Sequence, residues 1–114
     1  MLEMELSYTT SDGAKEGTLV LRLAGPFTLA NMFQLQNELR TIKPTCLIMD
    51  LAEVPYMDSA GLGVITNYYV SAQNGGRKFY LTTVNERIRG LFEMTKVDSV
   101  LHICDSIEVA QALA

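Results

Sequence analysis

The run Cys46-Leu47-Ile48-Met49 narrows the possible folds of this chain more than any other feature. Four consecutive apolar residues, closed by Asp50, lack the in-and-out alternation of a strand with one wet face. Such a run suits a strand buried on both sides, which needs other structure packed above and below it. Amphipathic stretches flank it. From Leu29 to Ile42, the residues Met32, Leu35, Leu39 and Ile42 follow a 3-4-3 spacing that places them on one helical face, and Pro44 stops the helix. Ala60 to Ala72 predicts a second helix, with Leu62, Ile65, Tyr69 and Ala72 inward and Tyr68 partly outward. Asn74-Gly75-Gly76 terminates it.

Upstream, Leu2 to Tyr8 reads as a first strand, Ser11-Asp12-Gly13 as a turn and Thr18 to Leu23 as a second strand closing an antiparallel hairpin. Gly25-Pro26 ends that hairpin. Downstream, Phe79 to Val84 is a strand, and Asn85 caps a helix burying Ile88, Leu91 and Phe92. Val100 to Ile103 is a short strand, and Asp105 with Glu108 forms a capping box for a last helix through Leu113. The order β-β-α-β-α-β-α-β-α predicts an α/β fold: a mixed sheet of about five strands, largely parallel, packed with about four helices.

The 114 residues fit one domain, 1–114, large enough to bury roughly two-thirds of its unfolded surface without disulfide or metal staples. Thirteen acids against nine Lys and Arg give a net charge of −4, with no basic cluster beyond Arg77-Lys78 and the pair Arg87 and Arg89. That balance argues against direct nucleic-acid or anionic-membrane binding. Cys46 and Cys104 are far apart in apolar surroundings and read as buried thiols. One histidine and two separated cysteines supply no metal-ligand set, so no metal or cofactor is expected. No apolar run approaches the ~18 residues of a membrane span. Met1-Leu2-Glu3-Met4-Glu5 carries acids where a signal peptide carries bases, so the expected location is cytoplasmic, with no membrane insertion.

The segment Val54-Pro55-Tyr56-Met57-Asp58-Ser59-Ala60-Gly61-Leu62-Gly63-Val64-Ile65 leads from the buried strand into a helix beginning near Ser59. It places a carboxylate and a hydroxyl at the carboxyl edge of the sheet, where partners of open α/β folds bind. Asp58 or Ser59 alone could serve simply as the helix cap. Gly61 and Gly63 each weaken the helix by ~1 kcal/mol relative to alanine. Close approach to a neighbouring strand, or to a partner's backbone, would account for both. Leu62, wherever it is not turned inward, would offer an apolar contact beside the serine.

Enzyme chemistry fits poorly. A hydrolase elbow reads Gly-x-Ser-x-Gly, but Met57 stands at the first glycine, His102 lies in an apolar strand and Asp58 adjoins Ser59 directly. Gly61-x-Gly63 and Gly75-Gly76 lack the third glycine and the lysine of phosphate-binding loops.

Met57-Asp58-Ser59-Ala60-Gly61-Leu62-Gly63 closely resembles the signature loop of bacterial anti-sigma factor antagonists, members of the STAS domain family, and the element order resembles theirs along nearly the whole chain. The resemblance implies a non-catalytic protein whose Ser59 is phosphorylated by a partner that is both serine kinase and anti-sigma factor. Unphosphorylated, it binds that partner and frees a sigma factor; phosphorylation breaks the contact and a cognate phosphatase restores it. By the same resemblance, the partner surface comprises Asp58, Ser59, Ala60, Gly61, Leu62 and Gly63, with Thr28 from the loop after the second strand. Family members commonly carry aspartate where Thr28 stands, a departure that bears on the partner's identity. An alternative role on the same fold is a non-catalytic subunit of an ABC-type lipid transporter or of a stressosome-like assembly.

A phosphate adds about −1.5 to −2 charges. At a helix N-terminus the dipole and free N–H groups should tolerate it, so modification should act on an interface rather than on folding.

Overall fold

A computed structural model describes residues 5–114. Its elements run β1 (Ser7–Asp12), β2 (Thr18–Ala24), α1 (Phe33–Leu39), β3 (Cys46–Glu53), α2 (Ser59–Asn74), β4 (Lys78–Thr82), α3 (Glu86–Thr95), β5 (Ile103–Cys104) and α4 (Ile107–Leu113). The strands form one sheet in the order β1-β2-β3-β4-β5. The β1–β2 hairpin is antiparallel, and every other pairing is parallel. This is the expected mixed α/β architecture.

β3 lies at the centre, and its first six residues, Cys46 to Leu51, are buried. Alternate side chains feed two cores, as strand geometry requires. Leu47, Met49 and Leu51 join Leu21, Leu23, Leu35, Ile65, Tyr68, Ile88 and Phe92 in the larger cluster. Cys46 and Ile48 join Val20, Cys104 and Ala110 in a smaller one under α4. Both thiols are free and buried, and burial, the largest influence on each, raises their pKa. The polar exception on β3 is Asp50, 7% exposed, whose Oδ1 accepts the Thr82 hydroxyl at 2.8 Å.

Several elements differ from expectation. β1 begins later than the apolar residues suggest: Ser11 and Asp12 belong to the strand, and the turn occupies 13–17. Gly13 donates to the Thr18 carbonyl at 2.7 Å across that turn. As an edge strand of Ser and Thr, β1 needs little burial, so apolar content misplaces it. The part of the expected strand at 2–4 lies outside the described residues. α1 is shorter, because 28–31 folds into a turn closed by Asn31 N–H to the Thr28 carbonyl. β4 stops at Thr82 rather than running to Val84, and β5 lies at Ile103–Cys104 rather than Val100–Ile103, with Val100 47% exposed. α4 is capped by Ser106, which accepts the Val109 N–H, not by Asp105.

The tyrosines of α2 exchange roles. Tyr68 is 5% exposed, and Tyr69 is half-buried. The Tyr68 ring meets Phe79 edge-on at 4.9 Å, and its hydroxyl donates to the Ile42 carbonyl at 3.1 Å. The buried residues of α2 are Gly61, Leu62, Val64, Ile65, Tyr68 and Ala72, so Leu62, Ile65 and Ala72 face inward as expected and Tyr68 takes the place expected of Tyr69.

Candidate functional site

Three loops meet at the carboxyl edge of the sheet. Pro26 ends β2 and the chain turns in at Phe27, whose side chain is fully buried. Phe27 and Met57 form an isolated parallel bridge: Phe27 N–H donates to the Tyr56 carbonyl at 3.1 Å, and Asp58 N–H donates to the Phe27 carbonyl at 3.3 Å. The 54–58 segment is therefore seated against the 25–31 loop before α2 begins.

Asp58 is the joint between them. Its Oδ1 accepts the N–H groups of Ala60 and Gly61, each at 3.0 Å, capping α2. Its Oδ2 accepts the Leu29 N–H at 3.1 Å from the other loop. Burial pushes its pKa upward, but the N–H bonds from Gly61, Leu29 and Ala60 together outweigh burial and hold the carboxyl below its ordinary range. Asp58 is thus an anion with fixed partners, all of them backbone donors.

Ser59 is the first residue of α2, exposed and outside the cap. Of the sequence-expected surface, Asp58, Ser59, Ala60 and Gly63 are at least partly accessible, and Thr28 is half-buried with its N–H on Asn31 Oδ1 at 2.9 Å. Gly61 and Leu62 are buried, so Leu62 is a core residue and not an apolar contact beside the serine. The two glycines also separate. A Cβ on Gly61 would lie 2.3 Å from the Phe27 carbonyl oxygen, whereas one on Gly63 would meet nothing within 4 Å. Close approach within the chain explains Gly61 alone.

Leu29 is not legible from the sequence as a neighbour of the turn: it is 57% exposed and adjoins Asp58 through the backbone bond. Helical periodicity predicts one amphipathic helix over 29–42; the turn at 28–31 leaves Leu29 outside it. On the opposite flank, the Arg87 guanidinium sits 5.1 Å from the Tyr56 ring centroid, and Asn85 donates to the Val54 and Pro55 carbonyls.

His102 stacks edge-on with Tyr80, with ring centroids 5.8 Å apart. Its neighbour is thus an aromatic ring, while the Asp58 carboxylate is engaged by backbone. A groove of about 220 Å³ between α1 and α2, lined by Gln36, Arg40, Lys43 and Asn67 among others, includes neither Asp58 nor Ser59. Among the described residues no group of three or more His, Cys, Asp or Glu is placed to hold a metal ion, and no helix is long and apolar enough to cross a membrane. What the turn offers is a preorganised projecting surface with one free hydroxyl.

Residues 9–110 match the STAS domain. The chain belongs to the STAS domain family. The anti-sigma-B factor antagonist of Staphylococcus epidermidis is 34% identical over 61 residues, 54% of this chain and 56% of that protein. The anti-sigma-B factor antagonist of Staphylococcus aureus is 26% identical over 83 residues, 73% of this chain and 77% of that protein. The match therefore spans little more than half the length of the S. epidermidis relative. An anti-sigma factor antagonist from Mycobacterium paratuberculosis superposes with a TM-score of 0.84 at 17% identity, covering 95% of this chain and 92% of that one. At that identity the likeness is one of STAS fold. The Asp58–Ser59 turn of this STAS domain lies inside the matched span.

Proposed function

We propose that this STAS domain is an anti-sigma factor antagonist: a non-catalytic cytoplasmic protein that binds its partner while Ser59 is unphosphorylated and releases it on phosphorylation. The observation that carries this reading is the division of labour at the turn. Asp58 alone caps α2, so the exposed Ser59 is left over from folding.

That division also says where a phosphate would act. The N–H groups of Ala60 and Gly61 are already held by Asp58, and those of Asp58 and Leu62 by the Phe27 and Asp58 carbonyls. A phosphate on Ser59 would keep the favourable helix dipole but find few free donors, and would stand beside the Asp58 carboxylate. It would remain a solvent-facing dianion. A partner packed over Leu29, Ala60 and Ser59 would have to bury it, which is prohibitive unless a matching cation meets it. Modification then controls association and leaves the fold intact.

The partner is a serine kinase that doubles as an anti-sigma factor, opposed by a phosphatase. Thr28 stands where family members commonly carry aspartate, so this surface lacks an anionic side chain there, which bears on which partner fits. The test is affinity capture from the source organism with wild type, Ser59→Ala and Ser59→Asp, read by mass spectrometry. An ATP-binding serine kinase held by wild type and alanine, and lost with aspartate, is the expected result. Transporter or stressosome-like subunits captured equally by all three would replace the switch with a scaffold role.

A further inference from the structure

Asn85 performs two tasks with one side chain. Its Oδ1 accepts the Ile88 N–H at 2.8 Å and caps α3. Its Nδ2 donates to the carbonyls of Val54 at 3.1 Å and Pro55 at 3.2 Å. Those carbonyls belong to the segment that carries β3 into Asp58. Two residues further along, Arg87 covers the Tyr56 ring, so the first turn of α3 holds 54–56 at successive points. Phe27 holds the same segment from the other side through Tyr56 and Asp58. α3 can serve as a fixed post because Ile88 and Phe92 are buried in the main core. The chain reaches Asn85 through Thr83, a β-branched residue at φ 60°, a conformation that persists only where surrounding contacts impose it.

We propose that Asn85 is a positioning residue for the Ser59 turn: through Val54 and Pro55 it fixes the Asp58–Ser59 geometry that the partner meets. The functional half of this inference rests on the Ser59 switch; the positioning itself needs no partner. The side-chain chemistry makes the two tasks separable. Aspartate caps a helix as well as asparagine does, but an ionised carboxylate has no N–H to donate.

The experiment compares Asn85→Asp with wild type and with Ser106→Ala, which loosens a distant helix cap. In native-state amide exchange, Asn85→Asp should leave Ile88 protected while Ala60 and Gly61 exchange about tenfold faster. With the kinase captured by wild type, phosphorylation of Asn85→Asp should show KM raised about tenfold at nearly unchanged kcat, because docking then selects the ordered turn from a mixture. Unchanged exchange at Ala60 and Gly61 would overturn the proposal. So would a general loss of protection matched by Ser106→Ala, since that marks a merely structural residue. If no captured kinase phosphorylates wild type, the switch fails. Faster exchange confined to the turn would then still establish the positioning, and unchanged exchange would refute it.

Discussion

α2 and α4 both begin with a side-chain cap, and they use it differently. At α4 the Ser106 hydroxyl accepts one N–H, that of Val109, at 3.2 Å, within its own turn. The tertiary bonds of α4 lie at its other end, where Lys78 and the Tyr80 hydroxyl donate to the Leu113 carbonyl at 3.1 and 3.3 Å. At α2 the cap reaches outside the helix, because Asp58 also accepts the Leu29 N–H from a separate loop. The first is a local start signal. The second is a joint that ties an exposed turn to a separate loop, and holding the serine in one geometry would lower the ordering cost of the proposed partner contact.

Removing the joint should have the largest effect. Asp58→Ala leaves three N–H groups without their acceptor and should cost about 2–3 kcal/mol, read from the urea midpoint. Asp58→Asn keeps an acceptor for the helix but offers its amide, not an oxygen, to Leu29, and should lose less. Acid sharpens the same point. The folded pKa of Asp58 lies below its unfolded value of about 3.9, so the unfolded state binds more protons on acidification. Its contribution is complete above that value and disappears as pH falls through the folded pKa. The stability gap between wild type and Asp58→Asn, measured by chemical denaturation at pH 7 and pH 3, should therefore narrow at the lower pH.

Gly61→Ala comes next. Its Cβ would press on the Phe27 carbonyl, disturbing the bond to Asp58 N–H at a cost of about 1–3 kcal/mol. Gly63→Ala, two residues on, should stabilise by up to about 1 kcal/mol in thermal unfolding, since its Cβ meets open space. Equal effects at the two glycines would mean that the joint is looser than the geometry indicates. The smallest effect belongs to Ser106→Ala, about 0.5 kcal/mol, with amide exchange at Ala60 and Gly61 unaltered.

Much of the fold was legible because it is encoded by neighbours. The unbroken apolar run at Cys46 to Met49 marked the central strand, Asn85 marked the start of α3, and Asn74-Gly75-Gly76 marked the end of α2. Of the candidate site, the helix start at Asp58 and Ser59 was legible, because capping residues stand directly before an apolar period; which of the two is the cap was not, and the structure gives that role to Asp58. Local pattern fails to place residues where two registers compete. Tyr68 and Tyr69 are adjacent on a helix with apolar residues on both flanking stripes, and the sheet beneath selects Tyr68. Leu29 fits the helical period, but the turn at 28–31 excludes it from α1.

The sequence by itself determined the order of elements, their types, the helix start at Asp58 and Ser59, and the acidic balance of the chain. These depend on residues within about four positions of one another and on composition. Only the tertiary structure decided that Asp58 binds Leu29, that Gly61 is pressed against Phe27 while Gly63 is not, and that Asn85 reaches Val54 and Pro55. Those contacts join residues some thirty positions apart. Their energies depend on how one loop is seated against another, which no local pattern records.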